Sequence, residues 1–316
     1  MSHWSGRARA LYGQINWSLD PDSINLFGGQ FGYDEYPLLT VIWRANTAWI
    51  NGTWTELISR ADTFIFFSFL LYGVYFLVKM LSHKRWIALS AVFLTCGLPL
   101  LYAHAASGYN EIVLQALSIH IIITLIKQEY FITGLLTSAA IFTKNEGLVL
   151  FLPFFALLVF WNSLANSGNL KKALQNLLIF FITSLVLLTP WLLFKLVNEV
   201  PLSTPTKPEY FYHSGSLRLF LDAMFLSPSS SIYWVMIVLI SLINSSRITA
   251  KHELRMISAL LLAFILAFFF IFSFTGAHVF LENQATIHRS LLQIAPIGIV
   301  LITSGYYEIK NKARNR

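Results

Sequence analysis

Charge is scarce in this sequence. Asp, Glu, Lys and Arg make up 12% of it, about half of what a water-soluble domain carries, so water is excluded as the main solvent. Cysteine is nearly absent. Cys96 stands alone inside an apolar run, which excludes a disulfide within the chain and a cysteine metal cluster. The opening segment MSHWSGRARALYGQ has two arginines and no apolar stretch of signal-peptide length, so another element must insert the chain. No internal repeat is visible, and the apolar runs are almost free of charge at their centres, which argues against a secondary transporter. His120 is the main exception, and a single His on an apolar helix is more often packed and hydrogen-bonded than a ligand. The net charge of +7 does not point to nucleic acid, because the basic residues sit in short clusters between apolar runs rather than along one stripe.

Apolar and aromatic residues are abundant instead. They reach 56% and 16%, with 27 Phe and 9 Trp, and the mean hydropathy is +0.63, as lipid-facing helices and interfacial belts require. A transmembrane helix needs about 20 mostly apolar residues. Runs of that character occur at 61–80, 86–103, 111–126, 130–142, 147–162, 174–196, 231–245, 256–275 and 289–307. Polar turns such as His83-Lys84-Arg85, Lys127-Gln128-Glu129 and Lys144-Asn145-Glu146-Gly147 separate them. The predicted fold is all-α: a polytopic transmembrane helix bundle of about nine spans. Residues 1–60 form an outer-face loop with interfacial helices, and 61–316 form the bundle with an outer loop at 197–230.

Alternate gaps carry the positive charge: Lys84 and Arg85, Lys127, Lys171 and Lys172, then Arg247, Lys251 and Arg255, and the tail with Lys310, Lys312, Arg314 and Arg316. The positive-inside rule places these in the cytoplasm. The other face then receives 1–60, 104–110, 143–147, 197–230 and 276–288, where most of the carboxylates lie.

Several polar groups fall on that face. Asp34 and Glu35 precede Pro37, which favours a helix start just after it, so adjacent carboxylates stand ahead of a helix N-terminus. There they can act as a general base or bind a cation, or simply occupy a dipole-favoured turn. Gly108-Tyr109-Asn110-Glu111 opens the third run with an acid at its start. Lys144 is a cation on the face opposite the positive clusters. An anionic ligand would account for it, and so would an ion pair with Glu146 or Glu111, or snorkelling. His288 and Arg289 enter the last run, where the arginine fork suits phosphate. The loop 197–230 offers Tyr210, Tyr212 and His213 to a sugar or a headgroup.

The set HWSGRARALY near the start, DEYPLL at 34–39, GYNE at 108–111, TKNEG at 143–147 and HRSLLQIAP at 288–296 resembles the GT-C class of polytopic membrane glycosyltransferases. The nearest branches are the RgtA/B/C/D-like and mannosyltransferase-like ones. The resemblance implies a hexosyl or pentosyl transfer from a polyprenyl-phosphate-linked sugar to a glycan, lipid or protein acceptor. It implies no cofactor, although a divalent metal is compatible with it, and no nucleic-acid partner. The setting it implies is the cell envelope: a multi-pass protein of the bacterial inner membrane, in contact with membrane lipid, with its active face periplasmic or extracellular and its C-terminus cytoplasmic. Asp34, Glu35 and Glu111 are then the catalytic carboxylates. Lys144, His288 and Arg289 bind the donor phosphate, and Tyr36, Tyr109, Asn110, Glu146, Tyr212 and His213 line the cavity.

The chain departs from the family at its beginning. Members carry a first transmembrane helix and an outer loop with the main catalytic acid before the HWSGRARALY segment, and this sequence starts at that segment. An upstream helix would also carry Arg7, Arg9, Arg44 and Arg60 to the outer face, since arginines resist translocation. Two other expectations stand beside the enzyme: a transporter or flippase for a lipid-linked or anionic solute, and an inactive truncated glycosyltransferase acting as a membrane scaffold.

Overall fold

The computed structural model describes residues 3–13, 36–197, 199, 211–227 and 231–314. Every regular element among them is helical. In chain order these are α1 (His3–Tyr12), α2 (Leu39–Asn51), α3 (Glu56–Ser59), α4 (Ala61–Ser82), α5 (Arg85–Cys96) and α6 (Pro99–Ser107). Then come α7 (Glu111–Ile126), α8 (Tyr130–Thr143), α9 (Leu152–Ser167), α10 (Leu170–Val186) and α11 (Thr189–Val197). The last group is α12 (Ser216–Phe225), α13 (Ser231–Ile243), α14 (Ser245–Ile248), α15 (His252–Phe274), α16 (His278–Glu282) and α17 (Ala285–Arg314).

Among the described residues, four stretches are long and apolar enough to cross a membrane: Ala61–Ser82, Gly147–Ser167, His252–Phe274 and Thr286–Gly305. Two bent pairs, α5 with α6 at 67° and α10 with α11 at 56°, raise the number to six if each is one span. The chain is a multi-pass membrane protein, and its exposed Phe64, Tyr72, Trp86 and Phe93 are at home against lipid. The predicted count of nine is not confirmed. With 16, 14 and 13 residues, α7, α8 and α13 are only about 20–24 Å long at 1.5 Å per residue, against a hydrocarbon core of about 30 Å. The bends fall at Pro99 and Pro190, where the ring removes a backbone donor and clashes with the preceding turn.

The chain folds as two compact units: Met1–Phe69 with Ala103–Pro205, and Leu70–Tyr102 with Thr206–Arg316. In the first, Trp4, Ala8 and Leu11 form one stripe of α1, at the spacing that lines a helix face, and pack on Leu38, Val41 and Ala45 at α2. The indole of Trp49 donates to the carbonyl of Tyr12 at 3.2 Å and fixes the far end of this pair. Helices α7 to α10 pack side by side. Polar residues tie one end of them: Asn162 donates to the carbonyl of Leu125 at 2.7 Å, Asn176 to Ser163 Oγ at 2.8 Å and Thr133 to Thr124 Oγ1 at 3.0 Å. Inside lipid such donors have no water to fall back on, so they hold helices together.

Gly134 brings α8 and α10 close. A Cβ there would sit 1.8 Å from Thr183 Oγ1 and 2.8 Å from the carbonyl oxygen of Phe180. Gly134→Ala is therefore expected to force the two helices apart and lower stability by about 1–3 kcal/mol. Thermal unfolding of the purified variant in detergent checks this, and an unchanged midpoint would show that the contact is not tight.

In the second unit α17 is the hub. It packs against α5, α12, α13, α15 and α16, and its apolar window is 83% buried, as for a helix surrounded by others rather than by lipid. Pro296 lies inside it. Gly298 lets Ile237 of α13 rest against the helix backbone.

Candidate functional site

In the first unit, the turn before α7 and the turn after α8 meet. Glu111 opens α7 and is fully buried. Lys144, just past α8, reaches Glu111 Oε1 at 3.4 Å and Glu146 Oε1 at 2.6 Å. The ammonium is buried too, whereas the Glu146 side chain keeps 28% of its surface exposed. Asn110 Nδ2 donates to the carbonyl of Thr143 at 3.3 Å and binds the two turns together. Two carboxylates flank one ammonium, and the half-buried Glu146 is the more accessible of the two.

The sequence leads the chain into this arrangement. Gly108 has φ of +75°, a conformation that costs a residue with a Cβ, and Arg44 and Arg60 side-chain atoms lie within 3.3–3.6 Å of where that Cβ would be. Arg44 Nη2 donates to the carbonyl of Gly108 at 2.9 Å, and Arg60 Nη1 donates to that of Ala106 at 3.2 Å. Beyond Glu146 the helix restarts as a π-turn over Gly147–Phe151, a rare geometry that recurs at functional sites. Gly147 packs on the backbone of Ala140 and Ile141, so a larger residue would displace Glu146.

Behind the cluster lies a charge pair that sequence reasoning missed. Arg44 Nε donates to Asp62 Oδ2 at 2.9 Å with both side chains fully buried, and Arg44 Nη1 contacts Ser5 Oγ at 3.3 Å. Arg44, Asp62, Ser5 and Gly108 thereby join α2, α4, α1 and the loop that delivers Glu111. A signal was present: Val41, Ala45 and Ala48 flank Arg44 at helical spacing and are buried, which puts the arginine on the inward face of α2. Arg7 is also buried, and its Nη1 donates to the carbonyl of Tyr36 at 3.1 Å.

The remaining residues predicted for the site are placed as follows. Asp34 and Glu35 lie outside the described residues. Tyr36 packs edge-on against Trp4, with ring centroids 5.2 Å apart. Tyr109 rests against His104 at 4.8 Å. Tyr212, His213, His288 and Arg289 belong to the second unit. There Tyr212 packs on Phe274 at 5.3 Å, and His213 stacks on His278 at 4.3 Å. His288 is half-buried beside a small cavity lined by Leu98, Tyr233, Trp234 and Leu292, and Nδ1 of its ring has no hydrogen-bond partner among the described residues. Arg289 follows it in the first turns of α17. His120 takes its packed role: it stacks on Phe69 at 3.5 Å, and its Nδ1 is 2.8 Å from the carbonyl of Ala116.

No family model matches the chain, and no curated protein or solved structure does either.

Proposed function

We propose that the chain is a membrane glycosyltransferase that moves a sugar from a polyprenyl-phosphate donor to an acceptor hydroxyl on the non-cytoplasmic face. The supporting observation is the Glu111, Lys144 and Glu146 cluster, formed where two motifs 33 residues apart converge. Glycosyl transfer from a phosphate needs a carboxylate to take the acceptor proton and a cation to meet the charge that grows on the leaving group. The cluster carries both, held against each other.

The charges suggest the sequence of events. Before reaction Lys144 is neutralised by two carboxylates. As the acceptor oxygen bonds to the anomeric carbon, its proton passes to Glu146, the carboxylate that solvent can reach. The bond from the anomeric carbon to the phosphate oxygen breaks, and the electron pair stays on the lipid phosphate. Protonated Glu146 loosens its hold on Lys144, which stays paired with Glu111, and the negative charge removed beside the ammonium lets it face an anion more negative than the donor was. The interaction strengthens as the bond breaks, which is the condition for lowering the barrier rather than tightening the ground state.

Membranes containing the chain, incubated with radiolabelled polyprenyl-phosphate sugars and an endogenous acceptor pool, are expected to transfer label that control membranes do not. Movement of intact labelled donor across the bilayer without transfer would replace the enzyme by a flippase.

A further inference from the structure

Helix α10 starts at the end of the first unit opposite the Glu111 cluster, where Asn176 bonds it to Ser163 of α9 and Asn162 of α9 bonds the end of α7. We infer that Lys171, Lys172 and the outer face of α10 form a docking site for an anionic phospholipid, with its phosphate held by the two ammoniums and its acyl chains lying along the helix. The inference does not depend on the glycosyltransferase reading.

The order of groups along one face is that of a phospholipid. Lys171, Gln175, Leu178, Ile182 and Leu185 recur every three or four residues, so they share one side of the helix, and all five are exposed. The stripe therefore runs from a cation through an amide, which can donate to an ester carbonyl, to a purely apolar lane. From Gln175 to Leu185 it covers about 15 Å at 1.5 Å per residue, the depth of one leaflet of a hydrocarbon core about 30 Å thick. Shallow grooves of about 590 and 550 Å³ flank the ridge of Lys171, Gln175 and Leu178, one on the side of Lys172 and Ile179 and the other on the side of Leu170 and Leu174. Both grooves share Lys171, so one headgroup at the ammoniums can send a chain down either side.

Charge selects the headgroup. Helix α10 has no acidic residue, and neither ammonium has an ion-pair partner among the described residues. The turn before α8, at the same end of the unit, brings Lys127 and Glu129, one charge of each sign, so an excess of two positive charges stands at α10. These lysines do not serve the helix, because cations in a first turn run against its dipole. The helix end itself is already capped, since Asn169 Oδ1 accepts from the backbone N–H of Lys172 at 3.3 Å, which leaves the side chains to hold the anion. An ammonium pairs well with phosphate, and a headgroup with a net negative charge gains from both. A choline headgroup brings its own cation and gains less. The positive-inside rule assigns this end to the cytoplasm, so the lipid is one of that leaflet.

The test uses the full chain purified in a neutral detergent, with equimolar phosphatidylglycerol and phosphatidylcholine of identical acyl chains, and counts bound lipid by native mass spectrometry. The wild type is expected to retain phosphatidylglycerol over phosphatidylcholine by about fivefold or more, the factor that one ammonium supplies beside an anionic headgroup. Lys171→Gln combined with Lys172→Gln is expected to lose most of that preference. Lys84→Gln combined with Arg85→Gln removes the same charge from an exposed turn of the second unit and is expected to keep it. Should the first double variant not purify as a folded species, Lys172→Gln alone is expected to lower the preference several-fold. Equal retention of the two lipids by the wild type overturns the site. So does an equal loss in both double variants, which would reduce the effect to the net charge of the chain. Displacement of the lipid by excess glycerol phosphate overturns it as well, because the apolar lane would then contribute nothing.

Discussion

Replacing Arg44 by methionine is expected to destabilise the first unit by about 3–5 kcal/mol, which for a chain of this size corresponds to a fall in the unfolding midpoint on the order of 10 °C. The physical reason is asymmetry. Arg44 and Asp62 are both fully buried and bonded at 2.9 Å, so removing the arginine leaves a carboxylate with no compensating charge in a medium that solvates it poorly. The carbonyl of Gly108 loses a donor at the same time. The double variant Arg44→Met, Asp62→Leu removes the charge as well as its partner and is expected to recover most of the loss, because well-packed apolar residues often replace a buried pair at little cost. Recovery will not be complete, since the Gly108 carbonyl stays without its guanidinium. Fluorescence-detected melting in detergent reads all three proteins, and a double variant as unstable as the single one would show that Arg44 acts through its packing and its other hydrogen bonds rather than through Asp62.

How far such features can be read from sequence depends on how local they are. The long helices at 61–82, 147–167 and 252–274 agree with the apolar runs because lipid selects for one property summed over about 20 residues. Pro99 and Pro190 already announce the two bends. Helices α7, α8 and α13 look like spans by hydropathy, yet hydropathy does not distinguish a short buried helix from a crossing one. Glu111 is as buried as any core leucine despite its charge. The ion pairs of Lys144 with Glu146, two residues on, and with Glu111, across 33 residues of chain, are both legible in the sequence as alternatives; that the two form together is not. Arg44 is the clearest lesson. As a charge in an N-terminal segment it reads as a burden on translocation, whereas the helical spacing of Val41, Ala45 and Ala48 around it marks a buried position that has to be paired. Its partner, 18 residues away at the start of α4, and the stacking of His213 on His278 depend on tertiary packing alone.

The last expectation concerns the cluster itself and rests on the proposed reaction. Glu146→Gln keeps the size and a polar tip but cannot accept the acceptor proton, so the transfer rate is expected to fall by about 10²–10⁴, or about 3–5 kcal/mol in the barrier. Donor affinity should not fall and is expected to rise, because the variant removes a negative charge close to where the lipid phosphate would lie. Lys144→Met is expected to lose a similar factor for the opposite reason. It leaves Glu111 buried without its ammonium and offers nothing to the leaving phosphate. Glu111→Gln separates the two contributions: Lys144 retains its 2.6 Å contact with Glu146, so the rate should drop less than in either other variant. Initial rates with labelled donor, measured on variants that elute and melt like the parent, decide the matter. The ordering Glu146 and Lys144 above Glu111 supports proton acceptance at the more accessible carboxylate. Full activity in Glu146→Gln would remove it from the chemistry and leave the cluster as a structural clasp between α7 and α8.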